Sequence, residues 1–163
     1  MRIVVGSDER THLTDVVIEE LRRRGFEVEP VGPLAGEKAY WPQVARIVAE
    51  KMARGEADEG ILFCWTGTGV SIAANKVPGV RAALCEDAET ARGARLWNNA
   101  NVLCMSLRRT SEAIAREILD AWFGTRYVPN PEDDTCLAQV AEIERTYAQA
   151  SGPIPSPAGA PAP

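Results

Sequence analysis

The sequence predicts an α/β fold in which a five-stranded parallel sheet carries helices on both faces. Two observations predict it. Short apolar runs alternate along the chain with segments whose apolar residues recur at helical spacing. Strands that alternate with helices in this way pair in parallel through right-handed crossovers. Because an open sheet of this kind binds its ligand at the carboxyl ends of its strands, residues that follow the strands are the candidates for function.

In the first part of the chain, residues 2–6 form an apolar run that predicts the first strand, and a polar turn follows. The first helix ends near Gly25, which suits a helix C-terminus. Residues 26–31 predict the second strand and residues 32–40 a loop, and Pro42 favours a helix start. The apolar positions of the two helices are Leu13, Val16, Val17 and Leu21, then Val44, Ile47, Val48 and Met52.

The second part of the chain repeats the alternation three times and ends in a helix. The remaining predicted strands cover residues 61–63, 80–84 and 101–105. The remaining predicted helices cover residues 71–76, the alanine-rich segment 86–96, a helix that is capped by residues 110–112 and ends at Gly124, and a last helix over about residues 131–150.

Length and composition limit the possible functions. The chain has 163 residues, 45% of them apolar and 25% charged, which suits one globular domain over residues 1–150. Residues 151–163 are rich in proline and alanine, and we expect a disordered tail. The net charge of -5 argues against a nucleic acid or an anionic membrane as partner. The first residues enter a strand directly without a signal peptide, so we expect a cytoplasmic protein.

The cysteines and histidines do not predict a metal site. The four cysteines show no Cys-x-x-Cys spacing, and the chain has a single histidine. Zinc sites need closely spaced cysteine or histidine ligands, so we expect free thiols, no metal and no cofactor.

The segment 60–76 is the strongest candidate for a site. A short buried strand ends at Cys64, and a glycine-rich loop and the start of a helix follow. The free amides of a helix start favour negative charge, and a thiol there becomes a thiolate more easily than in apolar surroundings. A tight turn that needs glycine and an inert buried cysteine would give the same pattern. The polar and glycine residues of the loop are Thr66, Gly67, Thr68, Gly69 and Ser71.

Three motifs resemble a known family, the type B ribose-5-phosphate isomerases and galactose-6-phosphate isomerase subunits. They are Gly-Thr-Gly-Val-Ser-Ile-Ala-Ala-Asn-Lys at residues 67–76 after Cys64, Gly-Ser-Asp at residues 6–8, and Trp-Asn-Asn-Ala-Asn-Val-Leu at residues 97–103. The resemblance covers about residues 1–148. It implies a Rossmann-like three-layer α/β/α sandwich with a C-terminal helix, and a homodimer, or a tetramer, with active sites at the subunit interface.

The resemblance also implies metal-free aldose–ketose isomerisation of a small sugar or sugar phosphate through a cis-enediolate. The family's base corresponds to Cys64, and its sugar-contacting aspartate to Asp8, which would otherwise cap the next helix. Amides of the loop would hold the developing oxyanion, and such donors contribute about 3–4 kcal/mol each. The candidate catalytic residues are Cys64, Thr66 and Asp8, and the candidate substrate-binding residues are Glu9, Trp65, Gly67, Thr68, Gly69, Ser71, Trp97, Asn98 and Arg108.

The sequence departs from the family at three places. Glu9 and Trp97 stand where relatives have histidines, the second of which is assigned to opening the sugar ring. The acidic segment 131–136 stands where relatives have phosphate-binding arginines, and residues 128–143 contain no Arg or Lys. Arg108 matches a family arginine on the phosphate side, although with Arg109 it also suits a solvated pair.

These departures leave the substrate open. A short or open-chain substrate, such as a tetrulose phosphate or a small keto compound, needs no ring-opening group, and the missing arginines allow a substrate without phosphate. Trp65 and Trp97 suit a sugar face or a dimer core equally. Lys38 and Trp41 lie where relatives place a substrate-contacting segment, and their role is open. A non-catalytic sugar-binding or partner subunit, and an epimerase, remain alternatives.

Overall fold

A sheet of five parallel strands forms the centre of the computed structural model, which describes residues 1–149. The strands follow the order β2-β1-β3-β5-β4. They are β1 (Arg2–Ser7), β2 (Glu27–Val31), β3 (Glu59–Cys64), β4 (Ala82–Leu84) and β5 (Val102–Ser106). The helices are α1 (His12–Arg23), α2 (Trp41–Ala53), α3 (Thr68–Ala74), α4 (Ala88–Leu96), α5 (Glu112–Gly124) and α6 (Pro131–Gln149). The predicted fold class is confirmed, and β4 is shorter than expected.

Helices cover both faces of the sheet, because each central strand is apolar on both sides. Val5 and Ile61 pack with Trp122 in the core beneath α1, α4 and α5. Val4 and Leu62 point the other way and pack with Val44 and other residues of α2 and α3. Alternate residues of one strand therefore belong to opposite cores, which is the period-two pattern of a buried strand.

One buried carboxylate anchors two helices to the amino end of β3. The Arg95 guanidinium lies 2.8 Å from Glu59 Oε1, and the Trp122 indole donates to Glu59 Oε2 at 3.3 Å. The same guanidinium lies 5.0 Å from the centre of the Trp122 ring. Burial raises the pKa of Glu59 to about 7, against the lowering effect of Arg95. This cluster joins α4, α5 and β3.

Helix α6 is attached loosely to the rest of its own chain. None of its side chains at residues 131–148 is buried, and Val140, Ile143 and Tyr147 are exposed. Glu144 accepts a hydrogen bond from the Gly79 amide at 3.1 Å. An exposed apolar stripe on a helix indicates a surface that suits a partner.

The predicted tail at residues 151–163, and residue 150 at the predicted domain end, lie outside the described residues. Over residues 1–149, no helix is both long and apolar enough to cross a lipid bilayer.

Candidate active site

Three residues form a row at the carboxyl edge of the sheet. Ser7 of β1 pairs with Phe63, and Cys64 of β3 pairs with Ser106 of β5. Asp8 and Cys64 are the next residues after the pair Ser7–Phe63, so both lie at the carboxyl ends of neighbouring strands. The alternation of side chains puts Asp8, Cys64 and Ser106 on the sheet face covered by α2 and α3. The sequence-predicted thiol and carboxylate therefore lie at the same end of the sheet.

The Cys64 side chain is only 5% exposed and packs at the edge of an apolar cluster. Leu62 and Val70 belong to the same cluster. The Cys64 backbone carbonyl accepts hydrogen bonds from the amides of Gly67, at 3.2 Å, and Leu107, at 3.0 Å. These contacts fix the strand end on which the thiol is carried.

Gly67 fixes the shape of the loop. Its φ of +76° lies in the left-handed region, which side chains other than glycine rarely adopt. A Cβ at Gly67 would lie 2.5 Å from Leu84 Cδ1 and 3.0 Å from the Met105 carbonyl carbon. The loop therefore runs too close to the sheet to accept a side chain.

Helix α3 begins at Thr68, three residues earlier than predicted, because Gly67 caps it. The Ser71 amide donates to the Gly67 carbonyl oxygen, at 3.3 Å. The amides of residues 68–70 precede this first helical bond and have no partner inside the helix. Thr68 and Thr66 are exposed, with their hydroxyl oxygens 2.7 Å apart. Three amides without a helical partner and two exposed hydroxyls therefore follow the strand that bears the thiol.

Ser71 is turned away from this loop opening. Its hydroxyl donates to the Ala82 carbonyl oxygen at 3.5 Å, on the side of β4. Its predicted contact with substrate stays a prediction.

Arg108 lies against the same loop from the neighbouring strand. Its amide donates to the Trp65 carbonyl oxygen at 3.0 Å, and the Ser106 hydroxyl donates to the same oxygen at 2.9 Å. Both Arg108 and Trp65 are exposed, and the Arg108 guanidinium forms no ion pair within residues 1–149. Arg109, by contrast, faces Glu86 at 3.6 Å.

Asp8 is not a helix cap, since Thr11 caps α1 by accepting from the Thr14 amide at 3.4 Å. Asp8 Oδ1 is buried and has no hydrogen-bond partner. Burial raises the pKa of Asp8, and the Glu9 charge adds to this effect. Glu9 is exposed. Its amide donates a hydrogen bond to the Ser7 hydroxyl oxygen, and the Ser7 hydroxyl donates to the Glu9 carbonyl oxygen. Asp8 Oδ1 is therefore a buried acceptor without a hydrogen-bond partner.

Asp8 opens into a cavity of about 440 Å³ between β1 and the start of α2. Next to it, the Trp41 ring covers the first turn of α3, because a Cβ at Gly69 would lie 3.0 Å from Trp41 Cε3. The role of Trp41 was open from the sequence, and the structure places its ring over the glycine loop. The residues that line the cavity are Asp8, Pro33, Lys38, Ala39, Tyr40 and Gln43.

Trp97 and Asn98 lie near the amino ends of the strands, at the end of the sheet away from Cys64. Helix α4 leaves the carboxyl end of β4 and ends before β5 begins, so the residues that follow it lie at the amino ends of the strands. Arg81, which precedes β4, donates through Nε to the Asn98 carbonyl oxygen at 3.1 Å. One chain alone therefore does not bring Trp97 and Asn98 to Cys64.

Fold and site together define an α/β protein whose carboxyl edge carries a thiol, the amides of a helix start and a carboxylate oxygen without a hydrogen-bond partner. Within residues 1–149, no group of three potential metal ligands comes together.

The family model of the Ribose/Galactose Isomerase family matches residues 3–139, and the chain belongs to this family of sugar-phosphate isomerases. The chain is 41% identical to ribose-5-phosphate isomerase B of Escherichia coli over 68% of this chain and 74% of the relative. It is 40% identical to D-erythrulose-4-phosphate isomerase 2 of Mycolicibacterium smegmatis, over 79% of this chain and 88% of the relative.

Solved structures agree with this assignment. The ribose-5-phosphate isomerase B of Clostridium thermocellum superimposes with a TM-score of 0.85 at 38% identity, covering 90% of this chain and 99% of that one. The predicted family and its three-layer fold are confirmed. The relatives are named as isomerases of different sugar phosphates, which is consistent with an aldose–ketose isomerase but does not fix its substrate.

Proposed function

We propose that Cys64 is the base of this isomerase. The observation that carries the proposal is that Cys64 and Asp8 follow paired residues at the carboxyl ends of β3 and β1, and that α3 begins four residues after the thiol. Cys64 also holds the position of the base in the cysteine branch of the family. With Val70 where the other branch places its glutamate, the chain offers no second candidate at this place.

The proposed reaction moves one proton between adjacent carbons. The Cys64 thiolate takes the proton from the carbon next to the carbonyl, and the electron pair moves onto the carbonyl oxygen to give a cis-enediolate. The amides of residues 68–70 stabilise this oxyanion, and Asp8 accepts a hydrogen bond from a substrate hydroxyl. The hydroxyl proton then passes to the former carbonyl oxygen, and the thiol returns its proton to the former carbonyl carbon while the other oxygen becomes the new carbonyl. Two protons have changed position, and the reaction needs no oxidant or reductant.

The test is exchange of the substrate's carbon-bound proton with solvent deuterium, followed by NMR. Cys64→Ser should lower the exchange rate about 10²–10⁴-fold, the usual contribution of a general base. Cys136→Ser is the matched control, because Cys136 is exposed on α6, and it should keep the wild-type rate. Full exchange in Cys64→Ser would dismiss the thiol as base.

We further propose that two copies of the chain build each site. Trp97 and Asn98 match family site residues but lie at the edge away from Cys64, so only a second copy can supply them. Exposed apolar residues offer a surface for it, namely Trp65, Ile72, Trp97, Val140 and Ile143.

Mixing two inactive variants tests this arrangement. Equal amounts of Cys64→Ser and Asn98→Ala, after subunit exchange, should recover about a quarter of wild-type activity, because half the dimers are mixed and one of their two sites is intact. Failure to recover activity, with exchange verified by native mass spectrometry, would place the whole site within one chain.

The substrate we propose is a short, open-chain sugar phosphate or a related keto compound. Trp97 and Glu9 replace the family histidines, and one relative is named for erythrulose 4-phosphate. We expect turnover of D-erythrulose 4-phosphate to exceed that of D-ribose 5-phosphate. A cytoplasmic location and the absence of nucleic acid and membrane partners remain predictions.

The same replacements favour a second candidate, a sugar-binding or partner subunit without turnover. Thermal shift against phosphorylated and free sugars separates the two, since a ligand that stabilises the fold but is not converted supports the second candidate.

A further inference from the structure

We propose that the cavity beside Asp8 binds the negatively charged end group of the substrate, and that Lys38 is the residue that binds it. This subsite rests on the proposed function, because it adjoins the Cys64 row through Asp8. The ligand chemistry is a hydroxylated carbon chain that ends in a phosphate or a carboxylate.

The cavity has the size and the position for this role. Its volume of about 440 Å³ lies within the range of small-molecule sites. Asp8 lines it and directly follows β1, next to the carboxyl end of the strand that bears Cys64. A ligand that reaches from the thiol past Asp8 therefore enters this cavity with its far end.

Lys38 carries a charge that the described chain leaves unpaired. No carboxylate of residues 1–149 lies within ion-pair distance of it, Asp8 included, although the chain has a net charge of -5. Lys51, by comparison, contacts Glu29 at 3.0 Å and Glu56 at 3.4 Å. An unpaired cation at the wall of a cavity attracts an anion without first breaking another ion pair.

The other polar groups of the cavity fit the same ligand. Gln43 Oε1 accepts from the Tyr40 amide at 2.8 Å, so the Gln43 side-chain NH2 is left to donate. Asp8 Oδ1, buried and unpartnered, is left to accept from a hydroxyl. Lys38 and Gln43 therefore provide donors for an anion, while Asp8 provides the acceptor for a hydroxyl nearer the thiol.

Lys38 also supplies a positive charge, which the segment before and within α6 lacks. Residues 128–143 contain no Arg or Lys, and the first turn of α6 carries Glu132, Asp133 and Asp134. An anionic group near that turn would be repelled. The loop before α2 offers a cation instead, at the cavity that Asp8 lines.

The experiment measures binding by calorimetry in the full-length Cys64→Ser chain, so that no probe is turned over. The probes are D-erythrulose 4-phosphate, D-ribulose 5-phosphate, D-ribonate and neutral D-ribulose. Lys38→Met should weaken binding of a phosphate or carboxylate probe at least about tenfold and leave the neutral probe unchanged. Whichever anionic probe depends on Lys38 identifies the end group.

Lys76→Met is the matched control, since Lys76 is exposed, has no ion pair within the described residues and lies outside this cavity. It should bind every probe as the parent does. Equal binding by Lys38→Met and its parent, equal losses in both lysine variants, or no preference of the parent for any anionic probe would each overturn the subsite.

The outcome is separable from the test of the base. Lost deuterium exchange in Cys64→Ser with unchanged binding in Lys38→Met keeps the isomerase and rejects the subsite. Lys38-dependent binding with full exchange in Cys64→Ser keeps the subsite and rejects the thiol base.

Discussion

Gly67→Ala should destabilise the protein and misplace the amides that we assign to the oxyanion. The residue has a φ of +76° and caps α3 directly after the thiol strand. Because Gly67 has no side chain, the Met105 backbone can lie close to it. Met105 belongs to β5, which is paired with a strand on each side. Leu84 can rotate away from a new methyl group, whereas the Met105 backbone cannot.

Two terms give the magnitude. A left-handed φ costs an alanine about 1–2 kcal/mol relative to glycine. Overpacking against the Met105 carbonyl, which a Cβ would approach to 3.0 Å, adds about 1–3 kcal/mol. Gly67→Ala should therefore lower the free energy of unfolding by about 2–5 kcal/mol, the sum of strain and overpacking.

Gly79→Ala isolates the strain, because Gly79 has a φ of +82° and a Cβ added there would meet no atom within 4 Å. It should cost only about 1–2 kcal/mol. The assay is urea unfolding at fixed protein concentration, with turnover measured on the folded fraction. If Gly67→Ala loses no more stability than Gly79→Ala and keeps full turnover, the close approach to β5 does not shape the loop.

Three further predictions follow from buried groups. The pKa of Glu59, raised to about 7, means that the native state holds this proton more tightly than the unfolded state. The stabilisation by protonated Glu59 is complete below about pH 4.5, and up to about 3 kcal/mol is lost as the pH rises through about 7. The free energy of unfolding should therefore fall from pH 5 to pH 8 by more in wild type than in Glu59→Gln. Asp8→Asn should lower kcat/KM about 10- to 100-fold, the effect of weakening a hydrogen bond to a charged acceptor, and an unchanged value would remove Asp8 from the site. A thiol reagent should label exposed Cys136 in the native protein but Cys85 and Cys104 only after unfolding, because burial raises the pKa of Cys85 to about 12 and also raises that of Cys104; mass spectrometry of labelled peptides reports the order.

Local patterns in the sequence predicted the strands, the glycine loop and the thiol strand end. The main error at the site was the start of α3, placed at residue 71 instead of Thr68. Helix-forming composition begins late in this segment, but Gly67 adopts a left-handed conformation and caps the helix earlier. This shift matters, because it decides which amides are free.

Contacts between distant segments could not be predicted in this way. The ring of Trp41 lies over Gly69, and the buried carboxylate of Glu59 holds Arg95 of α4. Both depend on how helices pack on the sheet. The same is true of Lys38, whose lack of an ion pair is visible only when its surroundings are known.

The sequence by itself determined the fold class, the family and the strand end that bears Cys64, because period, glycine placement and motif spacing are properties of neighbouring residues. Only the tertiary structure decided that Asp8 lines a cavity with the loop before α2, and that Trp97 lies at the amino ends of the strands, away from Cys64. Strand order and crossover direction set these distances, and both result from burying two faces of one sheet at once.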